Sequence, residues 1–563
     1  MDIPNLRWWG WGTLDEGYPL DARADLLPAL QRALELPDEA LECETPPIAI
    51  EAIALRPSRL DGPMLASLRR LVGETAVRVD ARARIEHAYG KSYRDLVRIR
   101  AGYVPDPPDA VVYPADQGQV VAILAWAAER EVAVVPFGGG SSLSAGVEPT
   151  PGDHLTVTLD LARLSQVLFV DTAARRVRAQ AGITGPRLEA ALAAHGFTAG
   201  HFPQSFEFST LGGWVATRGV GYLSTGYGAI EGMTCALRLV TPVGIVETRD
   251  GSASATAGAS LLHLVLGSAG VYGVITEAEL TIHPRPAVQD ARGILFDDLE
   301  SGIVACRTVV QSPELRPALV QLSDAGEAAA YALASDRRHG LHRLGDVLQS
   351  GSRRVGGPDL HNAAVLLLSF EGDSKVVARQ WSMASQICSD YRGVSLGRAV
   401  AQEWARERTL QPYLRDVLIG HGVLVDQLET AASWADLPRL HEAVVSALKG
   451  AVSASGGGPG YVMVHVAHVS ERGATLYATF LGRQVADPDP MVKAAQAQMV
   501  KQATVDAVLA AGGTLTRAPG FGPNGRTLWP ADELSPLGFR ALRAVKEALD
   551  PLGIMNPIHL LAG

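Results

Sequence analysis

Apolar residues change their spacing along the chain, and this change predicts its elements. Helical spacing predicts a helix over 117–130, and β-branched runs on either side of it predict strands at 110–114 and 132–135. The alternation continues with predicted strands at 155–159, 176–181 and 275–283 and a predicted helix at 185–195. Strands and helices mixed in this way predict an α+β domain over 91–286.

A second pattern begins after Pro284 and Pro286. Longer helical stretches alternate there with strand-like runs. The predicted strands are 318–322, 364–370, 461–467 and 475–480, and the predicted helices are 376–391, 438–448 and 490–511. We therefore expect four parts: an N-terminal helical accessory region (1–90), a ligand-binding α+β domain (91–286), a second α+β domain that caps it (287–505), and a C-terminal segment that returns to the ligand site (506–563).

Composition narrows the class of protein. The chain has 563 residues, 47% hydrophobic and 20% charged, with a net charge of −10, which is typical of a multidomain globular protein and gives no basic surface for nucleic acid. No apolar run is long enough to span a membrane, and the start of the chain has no signal-peptide pattern. Four scattered cysteines predict a cytoplasmic protein with neither disulfides nor a metal site. Trp8, Trp9 and Trp11 leave two interpretations open, namely peripheral membrane contact or packing on the protein's own surface.

A glycine-rich loop follows the strand predicted at 132–135. Its residues are Pro136, Phe137, Gly138, Gly139, Gly140, Ser141 and Ser142. Glycines let backbone N–H groups approach an anion closely, so this loop predicts a phosphate-binding site. Two further clusters predict contacts to a flat heteroaromatic ring: Ser209, Thr210, Gly212, Gly213, Trp214 and Thr217 in one, and Gly270, Gly273 and Ile275 in the other.

Together these clusters resemble the FAD-binding (PCMH-type) fold of the vanillyl-alcohol-oxidase superfamily. Within it, the chain is similar to the alkyldihydroxyacetonephosphate synthase branch. The motifs that carry the similarity are the Trp8–Gly12 segment, the 136–142 loop, the run from Glu207 to Arg218, the Tyr227–Glu231 segment, Pro412–Asp416, and the tail from Asp550 to Pro557. The resemblance implies FAD as cofactor, a small-molecule substrate and a homodimer. It also implies non-covalent FAD, because Ser141 stands where relatives that tether the cofactor from this loop have histidine.

Three positions depart from the synthase pattern. The arginine that the family is thought to use for the phosphorylated substrate is Gln321 here, the family's tyrosine is Ser470, and its three histidines fall on Arg517, Ala518 and Pro519. Gln321 carries no charge for a phosphate, and serine cannot replace a phenol in proton transfer near neutral pH.

The remaining candidates for chemistry are few. We take His465, His468, Arg415, Arg517 and Ser470 as candidate catalytic residues and Gln321 and Tyr227 as candidate substrate residues, with no metal. Tyr477 is a secondary candidate, since a tyrosine in such a strand is more often a core residue than a catalytic one. Residues three apart on a strand point to opposite faces, so only one of the two histidines is expected to reach the site. Arg415 has a structural alternative, an ion pair with Asp416 or Glu429, and Arg517 has one as a solvated loop residue.

Three hypotheses about function follow. An intact set of FAD motifs with altered synthase positions favours a FAD-dependent oxidoreductase that moves a hydride from a small or medium organic substrate to flavin N5. The alternative is an alkylglycerone-phosphate synthase, an ether-lipid transferase that uses FAD without net redox change. The third hypothesis is a flavin-binding protein without catalysis.

Overall fold

The fold is seen in a computed structural model, which describes residues 6–37, 41, 44–248, 259–334, 362–515 and 535–557. It is a mixed α+β structure of several sheets, which confirms the predicted fold class. None of the helices in those ranges is long and apolar enough to cross a membrane.

The first sheet has four strands and carries the glycine-rich loop. In spatial order they are β1 (Val77–Arg78), β2 (Ala110–Val112), β4 (Thr156–Asp160) and β3 (Ala133–Phe137). Strands β2 and β3 both pair with β4 in parallel, and helix Gln117–Ala128 connects them. The helix begins where the Asp116 carboxylate accepts a hydrogen bond from the Gln119 N–H, and it buries one apolar face on the sheet. Strand β3 ends at the point where the loop starts.

The second sheet is antiparallel and has five strands. They are β5 (Val167–Asp171), β6 (Arg176–Gln180), β10 (Val274–Thr281), β8 (Thr234–Thr241) and β9 (Gly244–Glu247), in that spatial order. Helix Leu211–Thr217 packs against β10 and β6, and two short strands, β7 (Phe197–Thr198) and β11 (His283–Pro284), pair beside it. The two sheets share one apolar core, with Trp214 and Ile275 among its buried residues.

The cap is a seven-stranded antiparallel sheet covered by helices. Its spatial order is β15 (Val394–Gly397), β12 (Val288–Phe296), β14 (Ala364–Gly372), β13 (Leu319–Ser323), β17 (Tyr461–Ala467), β18 (Gly473–Arg483) and β16 (Val423–Ser433). Its helices are Leu299–Gln311, Ala325–Ala334, Ser374–Asp390, Arg398–Glu407, Gln411–Gly420, Leu437–Ala454 and Pro490–Ala510. The predicted strands at 318–322, 364–370, 461–467 and 475–480 are confirmed to within a few residues. The strands that were not predicted are β1, β5, β7, β8, β9, β12, β15 and β16.

Both ends of the chain pack on this body. The helices of the N-terminal part are Leu26–Ala33, Gly62–Val72, Ala81–Glu86 and Tyr93–Arg100. Trp8 and Trp11 are buried, and the Arg7 and Arg100 guanidinium groups lie 5.0 and 4.9 Å from the centre of the Trp9 ring. The tryptophans therefore pack on the protein's own surface. At the other end, helix Pro536–Leu549 leads into a tail that pairs with β3.

Candidate active site

A cavity of about 930 Å³ lies between the two sheets of the first domain and the cap. It brings together most of the predicted site residues, which were scattered over more than three hundred positions. They are Pro136, Phe137, Gly138, Gly139, Gly140, Ser141, Ser142, Ser209, Thr210, Gly212, Gly213, Trp214, Thr217, Gly270, Gly273, Ile275, Gln321, His465, His468 and Ser470. Arg517 lies outside the described residues. Tyr227 and Arg415 are described but do not line the described part of the cavity.

The 136–142 loop is shaped for close approach by an anion. A Cβ atom on Gly139 would lie 1.9 Å from the Phe208 carbonyl oxygen, and one on Gly138 would lie 2.4 Å from the Thr210 Oγ1. Gly140 has a φ of +64°, which favours glycine. The N–H groups of residues 139–142 donate to no acceptor within the described parts of the chain. Unpartnered donors beside a glycine cradle fit the diphosphate of a dinucleotide.

The second cluster forms the N-terminal turn of helix Leu211–Thr217. The Thr210 side chain caps the helix by accepting a 3.4 Å hydrogen bond from the Gly213 N–H. Gly212 faces Ala181 so closely that a Cβ atom would lie 2.7 Å from the alanine methyl. The Trp214 indole N–H donates to the Ser209 Oγ at 2.7 Å, which fixes the start of the segment. The helix N-terminus is thereby held against the cavity.

The third cluster contacts the first. Gly270 has a φ of +81° and a Cβ atom there would lie 3.0 Å from Pro136. Asn556 in the C-terminal tail joins the two loops, because its Nδ2 donates to the carbonyls of Gly146 at 3.0 Å and Ala269 at 2.8 Å. The tail therefore lies against both loops.

On the cap side, both His465 and His468 line the cavity, so the expectation that only one would do so was wrong. Strand β17 ends at Ala467, and His468 has a φ of +48°, in the left-handed region. The alternation of faces therefore stops before His468, and its ring turns back toward the same side.

His468 joins the cap to the first domain. Its Nδ1 lies 2.7 Å from the Ser224 Oγ and its Nε2 lies 3.2 Å from the Tyr477 hydroxyl. Ser224 belongs to the first domain, whereas Tyr477 is in strand β18. All three residues line the cavity. A phenol, an imidazole and an alcohol in series can move a proton without losing their hydrogen bonds.

His465 is held from the opposite side. Its Nδ1 lies 2.7 Å from the Glu327 Oε1, and its ring stacks on Tyr477 with centroids 5.1 Å apart and an interplanar angle of 12°. His465 and Tyr477 are directly opposite in the antiparallel register of β17 and β18. Sequence analysis named Tyr477 only as a secondary candidate, and it missed Ser224 and Glu327. No local signal in the sequence marks the last two.

Ser470 and Gln321 occupy two of the altered synthase positions. The Ser470 hydroxyl donates to the Gly473 carbonyl at 3.1 Å and accepts from the Gly473 N–H at 3.3 Å, so it closes the β17–β18 hairpin. Gln321 lies in the middle of β13 with only 2% of its surface exposed, and its side chain faces the cavity.

Tyr227 and Arg415 have positions that the sequence did not reveal. The Tyr227 hydroxyl donates to the Glu371 carboxylate in β14, and its ring packs edge-on against His283 at 5.0 Å, so it fastens the first domain to the cap. Arg415 is buried beside Asp416, and burial lowers the pKa of its guanidinium. Asp416 itself accepts a 2.5 Å hydrogen bond from the Trp11 N–H, which ties this helix to the N-terminal segment.

Comparison with known proteins agrees with this geometry. A family described as FAD binding domain matches residues 108–249, and one described as FAD linked oxidases, C-terminal domain, matches residues 285–560. The alkyldihydroxyacetonephosphate synthase of Dictyostelium discoideum is 32% identical over 523 residues, covering 92% of this chain and 84% of the relative.

A solved structure described as alkyldihydroxyacetonephosphate synthase superposes with a TM-score of 0.85 at 30% identity and covers 99% of both chains. The mitochondrial D-lactate dehydrogenase (cytochrome) of Arabidopsis thaliana is 25% identical, over 81% of this chain and 73% of the relative. The matches, the glycine cradle and its free N–H donors agree on FAD as the cofactor. The chain is an enzyme of the FAD-linked oxidase family and belongs to its alkyldihydroxyacetonephosphate synthase branch.

Proposed function

We propose that this enzyme is a FAD-dependent oxidoreductase that oxidises a small or medium organic molecule at a carbon bearing a hydroxyl or amino group. The observation that carries the proposal is the series Tyr477–His468–Ser224 at the cavity. Bound FAD supplies the hydride acceptor, and oxygen or another electron acceptor takes the electrons away.

Residues of the chain itself receive the O–H or N–H proton that the substrate loses. When the substrate C–H leaves as hydride, the O–H or N–H proton must leave too, and a neutral His468 accepts a proton from the Tyr477 hydroxyl as that oxygen takes the substrate's proton. The imidazolium that forms donates its Nδ1–H to the Ser224 Oγ at 2.7 Å. Tyr477 is held in place by its stacking on His465, which Glu327 orients in turn.

The altered synthase positions support the same proposal. The Ser470 hydroxyl is used within its own hairpin, and Gln321 brings no positive charge to the cavity. A reaction on acyl-dihydroxyacetone phosphate would need a cationic partner for the phosphate dianion. Neither position supplies one.

The second candidate function is alkylglycerone-phosphate synthesis. The 32% identity to the Dictyostelium discoideum synthase over most of both chains favours it, because whole-chain similarity of that degree often accompanies shared chemistry.

An anaerobic titration separates the two candidates. Absorbance of the oxidised flavin is followed while alcohols, hydroxy acids, amines and palmitoyl-dihydroxyacetone phosphate are added in turn. We expect stable bleaching by at least one alcohol, hydroxy acid or amine, with the colour restored by air. Release of palmitate from the acyl compound, with no bleaching by any member, would reject the oxidoreductase and favour the synthase.

A further inference from the structure

The carboxamide of Gln321 makes no hydrogen bond to any residue in the described part of the chain. The residue is 2% exposed and lines the cavity, and its amide oxygen and nitrogen open onto that cavity instead of being sealed in the interior. A polar group placed in this way has its hydrogen bonds completed by water or by a ligand. The carboxamide is therefore available to a ligand in the cavity.

The described lining of the cavity that Gln321 faces is mostly uncharged. It includes the apolar side chains of Leu319, Ala467, Val469 and Leu515, the amides of Gln411 and Gln427, the carboxylate of Glu429 and the imidazole of His465. Among the described lining residues, Arg218 is the only lysine or arginine, and it pairs with Glu231 at 3.1 Å beside the 267–270 loop.

We infer that Gln321 selects an uncharged substrate, one that presents a hydroxyl or carboxamide to this residue and an apolar chain to Leu319 and its neighbours. A carboxamide donates through its NH2 group and accepts through its carbonyl oxygen, which matches a hydroxyl or an amide. A phosphate or carboxylate brought to the same place would lose its hydration without gaining a cationic partner among the described residues near Gln321. The inference rests on the proposed function for the reaction but concerns binding alone.

The inference is tested by comparing the binding of uncharged ligands with that of anionic ligands of similar size. The FAD-loaded enzyme is titrated anaerobically with hexanamide and hexanoate, and with 1-O-hexylglycerol and its 3-phosphate. The shift of the flavin absorbance bands gives Kd without any need for turnover. We expect the uncharged member of each pair to bind wild type at least tenfold more tightly. Gln321→Arg is expected to reverse the preference, and Gln321→Leu to weaken the uncharged member at least fivefold.

Gln496→Leu is the control variant, because Gln496 is also 2% exposed but lies outside the described cavity lining. It is expected to leave the preference unchanged. Gln321→Glu adds a second check if Gln321→Arg does not fold, and it should weaken the anionic members further. Equal or tighter binding of the anionic members by wild type, or absence of binding by every compound, overturns the inference. Selective binding without bleaching by any compound would count against the oxidoreductase and leave the selectivity standing.

Discussion

Ser224 and His468 belong to different domains, and their side chains meet 2.7 Å apart across the cavity. Ser224 begins a short helix that follows the second glycine cluster, whereas His468 follows the last residue of a cap strand. The hydrogen-bonded series Tyr477–His468–Ser224 therefore exists only when the cap is docked, because Ser224 comes from the domain beneath. A cap that moved away would separate the imidazole from the serine and leave His468 with the Tyr477 hydroxyl at 3.2 Å.

Replacing Tyr477 with phenylalanine is expected to lower the rate constant for flavin reduction by roughly 10²–10⁴-fold, the usual contribution of a positioned acid–base group. The ring, and therefore its stacking on His465, is retained. Stopped-flow reduction with the substrate found by titration measures the effect. An unchanged rate would show that Tyr477 takes no part in the reaction.

Ser224→Ala is expected to lower the rate constant for flavin reduction by a smaller factor, roughly tenfold, because the Ser224 Oγ accepts the Nδ1–H of the imidazolium that forms and the variant removes this hydrogen bond. Stopped-flow reduction measures this rate constant. Ser433→Ala is the control, since that hydroxyl bonds to Asp436 outside the cavity and its loss should leave the rate unchanged. A rate that stays the same in Ser224→Ala would contradict the series.

Gly139→Ala is expected to reduce FAD affinity at least tenfold. The added Cβ would lie 1.9 Å from the Phe208 carbonyl oxygen, so the loop must shift and its N–H groups lose their alignment. The flavin-to-protein ratio and equilibrium dialysis measure the change. Gly450→Ala serves as the control, because a Cβ there meets no atom within 4 Å and alanine is the better helix former. Full flavin content in Gly139→Ala would refute the assignment of this loop.

Gln321→Leu is expected to stabilise the ligand-free enzyme by about 1 kcal/mol or leave its free energy of unfolding unchanged, because no protein hydrogen bond is lost. Gln496→Leu should instead cost about 1–3 kcal/mol, because Gln496 accepts from the Val485 N–H at 3.1 Å and donates to the Arg483 carbonyl at 3.0 Å. Thermal unfolding of the two variants compares two glutamines of equal exposure. A destabilisation of Gln321→Leu as large as that of Gln496→Leu would mean that Gln321 has a structural role.

The lowered pKa of Lys91 predicts that the free energy of unfolding rises with pH. Burial lowers the pKa of its ammonium to about 8, from roughly 10.4 in an unfolded chain. Between these two values the unfolded state binds more protons, so the free energy of unfolding increases as pH rises through this window, and below pH 8 the full cost of burying the charge is present. Lys91→Met should therefore raise the free energy of unfolding at pH 7 by about 1–3 kcal/mol. It should also reduce the slope of the free energy of unfolding against pH.

Unfolding of Lys91→Met followed between pH 7 and pH 10 checks this, with Lys449→Met as the control because that side chain is exposed. An identical slope in Lys91→Met and wild type would assign the pH dependence to other groups.

The glycine clusters were recognisable from sequence because their information is local. Residues 136–142 show a β-strand, three glycines and two serines in order, and the structure places that loop where the strand ends. The prediction that His465 and His468 face opposite sides was wrong, because side chains alternate between faces only within a regular strand. His468 lies one residue beyond the end of β17 and has a positive φ.

Tyr227 and Arg415 show a second limit of sequence analysis. Both were chosen from motifs, yet their surroundings are set by residues far along the chain. The Tyr227 hydroxyl bonds to Glu371, and Arg415 lies near the carboxylates of Asp95, Asp416 and Asp426. The burial of these two side chains and their contacts depend on how the domains pack together. The spacing of apolar residues along the sequence does not encode that packing.

The pairing of the tail with β3 has a consequence for the order of events in biosynthesis. The Val134 N–H donates to the Ile554 carbonyl at 2.8 Å, and the Asn556 N–H donates back to Val134 at 3.0 Å, beside the strand that leads into the glycine loop. Residues 554–556 leave the ribosome long after that loop has been translated. A nascent chain that has not yet reached these residues lacks the backbone segment that pairs with β3, so stable capture of FAD has to wait until residues 554–556 have emerged.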